Sequence, residues 1–243
     1  MTQASPRIED IDAIDYRVEP KPWRFSIEEA AAIDRHWEKL RAGNPHLFNG
    51  RVFLMHTGTV EEQDDRRILR GGGFETEYKA FLAWRDFGFP GDTANCFAMA
   101  ALVSADGAFM LGRMNNHTAN AGKIYFPAGT PDPEDLKGET IDLEGSVLRE
   151  LAEETGIASD EVTIAEGWTV VFDGPRIACM KIVRSRFRAA EIEARFKDFI
   201  ATEEKPELDA LHAVFSTRDF DEENMPDFTL RFLRHALARS DRS

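Results

Sequence analysis

The sequence predicts an α/β protein in which helices cover both faces of a mixed sheet, preceded by a small N-terminal α+β extension. Three observations carry this expectation. Short apolar runs separated by Asp106-Gly107 and Asp173-Gly174 read as strand pairs. One amphipathic helix that ends at Gly156 separates those pairs. Two further amphipathic helices, at about 189–201 and after Pro226, supply the outer layer.

The elements follow in chain order. Residues 1–25 read as an extended leader broken by Pro20 and Pro22. A helix is predicted from about Ser26 to Arg41, with Ser26 and Glu29 as a capping-box pair and Ala30, Ile33, Trp37 and Leu40 at helical spacing. Val52–His56 and Arg66–Arg70 read as short strands. Gly71-Gly72-Gly73 reads as a turn, not a nucleotide loop, because Thr76 stands where GxGxxG needs its last glycine. Thr76 to Phe87 is a second amphipathic segment, and Phe89-Pro90-Gly91-Asp92 is the expected boundary between an extension, 1–93, and a main domain, 94–243. Cys96–Val103 and Ala108–Gly112 form a hairpin, and Lys123–Phe126 is a strand feeding the central loop. Val162–Phe172 pairs with Arg176–Val183, Leu208–Phe215 is the last strand, and Pro226 opens the closing helix.

The informative stretch is Phe126 to Ile157. Thr140 or Asp142 can cap the helix in its second half, and Gly156 suits a left-handed C-cap. Glu150, Glu153 and Glu154 share one helical face, while Val147, Leu148, Leu151 and Ala152 form the packing stripe. Like charges at i,i+4 weaken a helix unless something neutralises them. A hard divalent cation, Mg²⁺ or Mn²⁺, does so through carboxylate oxygens. The pattern predicts a metal site.

These residues resemble the Nudix family, whose signature runs Gly, five residues, Glu, seven residues, Arg-Glu-(apolar)-x-Glu-Glu-x-Gly-(apolar). Arg149 to Ile157 matches every fixed position of the second half. The first half departs: Ile141 stands where the family has Glu, Gly138-Glu139 comes two residues early, and Gly129 lies ten residues before Glu139. A longer loop ahead of the helix accounts for the spacing at little entropic cost.

The resemblance implies an α/β/α sandwich and a hydrolase that cleaves the diphosphate of a nucleoside diphosphate linked to another moiety. It makes Glu150, Glu153 and Glu154 metal ligands and gives Arg149 the orienting of the motif loop, with Glu139 as its acidic partner. Gly129 lets the backbone approach metal or phosphate closely. The base that activates water varies across the family. Glu153, Glu154 and, in the acidic loop Thr202–Glu207, Glu204 are the candidates, although such a loop also reads as plain solvated surface. Arg113, at the end of a predicted strand, is a candidate phosphate partner and equally a surface arginine. His36–Leu40 with Asn44–Gly50 looks like the start of the Nudix branch that cleaves UDP-glucose and UDP-galactose, which puts UDP-sugars ahead of ADP-ribose. The competing readings are a catalytically silent nucleotide-sensing module, and a Nudix-like isomerase or protein-interaction domain.

Composition narrows the partners. The 243 residues carry a formal charge of −14, which disfavours nucleic acid or an anionic membrane as partner. A small-molecule nucleotide remains compatible, because cations and local arginines reverse the field at a site. No apolar run approaches the roughly 18 residues of a membrane span, and the acidic N-terminus does not read as a signal peptide. Cys96 and Cys179, both beside apolar residues, read as buried free thiols of a cytoplasmic protein, with one disulfide the alternative. No His or Cys spacing suggests zinc, and GxSxG and GxxxxGK[ST] motifs are absent. The apolar N-terminal helix suits two arrangements, covering its own chain's sheet or a partner's in a homodimer.

Overall fold

The computed structural model describes residues 6–240. The segment expected to be an extended leader contains two strands, β1 (Arg7–Ile11) and β2 (Ala13–Val18). Both earn their place by pairing with distant strands, which local composition does not reveal. The first predicted helix is two pieces, α1 (Arg24–Glu28) and α2 (Ala30–Gly43), joined at Glu29. The expected capping box does not form; Ser26 Oγ donates instead to the Trp23 carbonyl at 2.8 Å.

β3 (Arg51–Gln63) and β4 (Arg66–Glu77) are far longer than expected, because Gly71-Gly72-Gly73 lies inside β4 and does not turn the chain. Side chains crowd all three glycines. A Cβ on Gly71 would strike Met55, one on Gly72 would strike Glu19 and Thr57, and one on Gly73 would come within 2.6 Å of the Tyr16 ring. Glycine serves close approach here, the alternative meaning of Gly in a strand. α3 (Tyr78–Asp86) follows without a break.

The main sheet uses β5 (Asn95–Val103), β6 (Phe109–Met114), β7 (Ile124–Tyr125) and β8 (Ala128–Gly129). A short hairpin, β9 (Leu136–Lys137) and β10 (Thr140–Ile141), precedes helix α4 (Leu143–Thr155). The strand expected over 162–172 divides into β11 (Val162–Ile164) and β12 (Trp168–Asp173). β13 (Arg176–Ser185), α5 (Ala189–Ile200), β14 (Leu208–Val214) and α6 (Asp227–Ser240) complete the chain.

The main sheet runs β1-β12-β13-β5-β6-β14, with β13 and β5 parallel and the other neighbours in that order antiparallel. Alternation along β5 sorts its side chains. Cys96, Ala98, Ala100 and Leu102 face Val147 and Leu151 of α4, while Phe97, Met99, Ala101 and Val103 face Phe228, Phe232 and Leu233 of α6. The sheet is therefore covered on both faces, an α/β/α arrangement. Cys96 and Cys179 are buried and unbridged.

A second sheet, β3-β4-β2-β10-β9, is built from both ends of the expected boundary. β1 of the extension joins the main sheet through β12, and β10 joins the extension's sheet where Thr140 pairs Arg17. α2 and α3 cover the extension through Trp37, Phe74, Phe81 and Trp84 of the same chain. No helix among the described residues is long and apolar enough to cross a membrane.

Candidate functional site

Helix α4 begins after Asp142, whose carboxylate pairs with Lys137, and ends at Gly156 with φ +72°. Packing of Val147 and Leu151 on β5 turns the opposite side of the helix toward β8 and the loop that follows it. There Glu154 is only 5% exposed. Its Oε1 accepts from the Ala128 backbone N–H at 3.2 Å, while its Oε2 is buried without a partner. Glu150 lies one turn back, against Gly129, where any Cβ would collide with its carboxylate. Gly129 thus gives backbone and carboxylate room to meet. Glu153 points outward, with its side chain 56% exposed.

The electrostatics of this cluster are unfavourable as it stands. Burial pushes the Glu150 carboxyl up to about 7; Arg149 opposes this, but Glu153, Glu207 and Asp135 reinforce it. Burial, then Glu150 and Glu207, also pushes the Glu154 carboxyl well above the usual carboxylate range, with the Ala128 N–H opposing in part. Arg149 counters locally. Its Nη2 reaches Glu150 Oε1 at 3.0 Å, and its Nη1 reaches Glu153 Oε2 at 3.1 Å. Burial disfavours the guanidinium charge, but Glu150 and Asp135 outweigh that and hold it protonated.

The acidic partner that fixes Arg149 is Asp135, not Glu139. Arg149 Nη2 donates to both Asp135 oxygens, at 3.0 and 3.2 Å, and the Asp135 side chain is only 2% exposed. A turn at Pro133–Asp135 holds it, because the Asp132 N–H donates to Asp135 Oδ2 at 3.1 Å. Glu139 is exposed in the β9–β10 turn and contributes a backbone carbonyl to Val18 N–H at 2.8 Å.

The signal for Asp135 was present in the sequence. It stands six residues after Gly129, the spacing of the signature's first acid, with Asp in place of Glu. The irregularity therefore lies wholly between Asp135 and Arg149, where thirteen residues replace the usual seven. The first of these residues, Leu136 to Ile141, form the β9–β10 hairpin, which extends the second sheet, so the insertion is an ordered element and not a longer loop.

The downstream acidic loop also resolves. Glu207, not Glu204, is the carboxylate whose charge acts on Glu150 and Glu154. Asn115 fixes the loop, its N–H donating to the Glu207 carbonyl at 2.7 Å and its Nδ2 to the Pro206 carbonyl at 3.1 Å. Tyr125 completes this side. Its hydroxyl accepts from Asn120 Nδ2 at 3.0 Å. Burial pushes the pKa of this hydroxyl well up, Asn120 opposes this in part, and Glu154, Glu207 and Tyr78 add to the rise. Nothing in the sequence alone distinguished Glu207 from its acidic neighbours. Arg113 pairs with Asp209 Oδ1 at 2.6 Å across β6 and β14, half exposed.

Among the described residues no acidic, His or Cys trio is arranged closely enough to hold a metal directly, since Arg149 draws on two of the three glutamates. The donor set nevertheless fits a hard cation. It offers an orphaned carboxylate oxygen, a buried and a partly buried acid that repel each other, and a glycine that keeps the space open.

The NUDIX domain family matches residues 95–236. No curated protein matches the chain. Among solved structures, the NUDIX domain of Shewanella oneidensis NrtR, crystallised with ADP ribose, is similar at 16% identity and TM-score 0.42, covering 65% of this chain and 97% of that one. A MutT protein from Methanosarcina mazei Go1 is similar at 22% identity and TM-score 0.39, covering 59% and 95%. The Nudix hydrolase RenU of M. smegmatis is similar at 13% identity and TM-score 0.39, covering 59% and 84%. With an RExxEE helix, an Asp135–Arg149 clasp and a family match over more than half its length, the chain belongs to the Nudix family.

Proposed function

We propose that this Nudix protein is a pyrophosphohydrolase that depends on Mg²⁺ or Mn²⁺ and cleaves the diphosphate of a nucleoside diphosphate joined to another group, of the UDP-sugar or ADP-ribose type. The products are a nucleoside monophosphate and a phosphorylated fragment. We place the reaction in the cytoplasm. The observation that carries the reading is the unpartnered Glu154 Oε2, buried beside Glu150 and opposite Gly129. A buried carboxylate oxygen without a donor is costly, and a bound cation removes the cost.

Glu150 and Glu154 would hold the cation, with Glu153 joining from the exposed side of the helix. When bound, the ion supplies neutralisation of the diphosphate and of charge developing in the transition state. The chain's own residues do the rest. Asp135 holds Arg149, and Arg149 positions Glu150 and Glu153. Water attacks one phosphorus, the bridging P–O bond breaks, and the water's proton passes to a carboxylate. Glu207 suits that role best, because it is exposed yet its charge acts on both Glu150 and Glu154. Residues 1–93 serve as the extension that walls the site, and 94–243 as the hydrolytic domain.

The deciding experiment is product analysis on UDP-sugars, ADP-ribose, dinucleoside polyphosphates and nucleoside triphosphates, with Mg²⁺, Mn²⁺ or EDTA. Cleavage of one diphosphate-linked class, lost in EDTA, is the expected result. Glu207→Gln should then lower kcat more than Glu204→Gln does, and equal effects would remove Glu207 from the role. Metal and nucleotide binding without turnover would instead favour the silent sensing module.

A further inference from the structure

Phe48 is 82% exposed, more than any other large apolar side chain among the described residues. A single exposed apolar residue is ordinary and by itself means nothing. Two features set this one apart.

The first is that its loop is held in place. The Asn49 side chain is used twice, Nδ2 donating to Glu77 Oε1 at 3.0 Å and Oδ1 accepting from Lys79 N–H at 2.8 Å. Leu47, next along the chain, packs inward beside Trp37 and Val52. The Tyr78 N–H donates to the Gly50 carbonyl at 2.9 Å. The Phe48 ring lies over Gly50, where an added Cβ would come within 3.4 Å of it. The backbone is tied on both sides of Phe48 while the ring is directed to solvent, so its exposure is built.

The second is where the loop lies. Asn44 Nδ2 donates to the His117 carbonyl at 2.9 Å, joining the loop to the segment whose Asn115 holds Glu207. Five residues beyond Phe48, the Phe53 N–H donates to the Pro131 carbonyl at 2.7 Å, two residues past Gly129. Loop 44–50 is thus tied at its start to the segment that holds Glu207, and Tyr78, which holds Gly50 beneath the Phe48 ring, lies within reach of the Glu207 charge. An aromatic face held open on the side of the fold that carries Glu207 matches what a nucleobase requires. Stacking needs only a flat apolar surface, and a preformed one costs no ordering when the ligand arrives.

We propose that Phe48 is the platform on which the substrate's nucleobase stacks, so that loop 44–50 of the extension sets affinity for the nucleoside half. This rests on reading the neighbouring carboxylates as a nucleoside-diphosphate site. Stacking present equally in ground and transition state appears in KM and not in kcat.

Two measurements test it. In steady-state hydrolysis of the best nucleoside-diphosphate substrate, Phe48→Ala should raise KM roughly ten- to hundredfold with kcat nearly unchanged, and Phe48→Tyr should restore KM. In calorimetric titrations, Phe48→Ala should weaken UMP or AMP binding by a similar factor and leave ribose 5-phosphate, which lacks the base, unaffected. An unchanged KM and unchanged nucleotide affinity would overturn the proposal and leave the hydrolase intact. If the wild type cleaves nothing in the panel, the hydrolytic reading fails, and the titrations still decide the platform. A change in oligomeric state with nucleotide affinity intact would also overturn it, assigning Phe48 to a protein contact.

Discussion

An ionisable group lies in the interior at each end of α4, Lys181 of β13 at one and Glu154 at the other, and the two are settled in opposite ways. At the first turn, Glu144 reaches Lys181, which is 4% exposed on β13. The Lys181 ammonium has Glu144 Oε2 at 2.7 Å, the Gly167 carbonyl at 3.2 Å and the Trp168 ring at 4.6 Å. An acid at a helix N-terminus is also favoured by the helix dipole. At the other end, Glu150, Glu153 and Glu154 stand where that dipole is negative, with no basic residue in the last turn. Their neighbours are one another, Glu207, and a single arginine shared three ways. One end is satisfied within the protein and one is not. The satisfied end reads as architecture and the unsatisfied end as a place prepared for something else.

The sharpest way to break this contrast is Glu154→Gln. We expect kcat to fall on the order of a hundredfold or more, since even the neighbours of metal ligands affect activity by that factor. The metal-free variant should melt no lower than wild type, because the buried carboxylate it loses was poorly satisfied. Divalent cation at about a hundred times its Kd should stabilise wild type by about 2.7 kcal/mol. Calorimetric melts with and without Mg²⁺ should show that rise for wild type only. Near-normal turnover in the variant would remove the metal-site assignment.

A smaller effect distinguishes the two acids that competed for Arg149. Asp135→Asn should lower kcat roughly 10- to 100-fold, the usual range for a group that orients ligands. Glu139→Gln, altering an exposed side chain in the β9–β10 turn, should leave kinetics unchanged. If the two variants behave alike, the Asp135–Arg149 clasp has no part in ordering the site.

These acids also show what a single sequence can convey. The second half of the signature was legible because its spacing is fixed by one helix, where 3.6 residues per turn leave no freedom. The α4 boundaries and the Gly156 cap followed from the same regularity. Asp135 was masked by chemistry, since Asp stands for Glu, and by an insertion that looks like a loop until β2 is there to pair with it. β1 and β2 were illegible for a related reason. Their partners lie at Trp168–Phe172 and Ile68–Gly73, and nothing local announces a pairing across such separations. Gly71-Gly72-Gly73 misled because glycine marks both turns and crowding, and only Tyr16, Glu19 and Met55 in three dimensions decide between them. Glu207 needed the fold as well, since Glu203, Glu204 and Lys205 stand just before it and, of this loop's carboxylates, Glu207 is the one whose charge acts on Glu154.

The smallest effect on activity belongs to the satisfied end of α4. Lys181→Met keeps much of the side chain's length and removes its charge. The Gly167 carbonyl then loses its donor, and Glu144, whose side chain is 50% exposed, can return its charge to water. The cost should therefore be that of one unmade buried hydrogen bond, about 1–3 kcal/mol, and not the larger penalty of stranding a buried ion. For a chain of this size that lowers the melting temperature by about 2–4 °C per kcal/mol. Turnover at 25 °C should stay within a few-fold of wild type, because Val147 and Leu151 still seat the helix on β5. A collapse of kcat with the melting temperature preserved would mean that the first turn of α4 transmits its position to Glu150 and Glu154. The two ends of the helix would then be one device, and the division between architecture and site would fail.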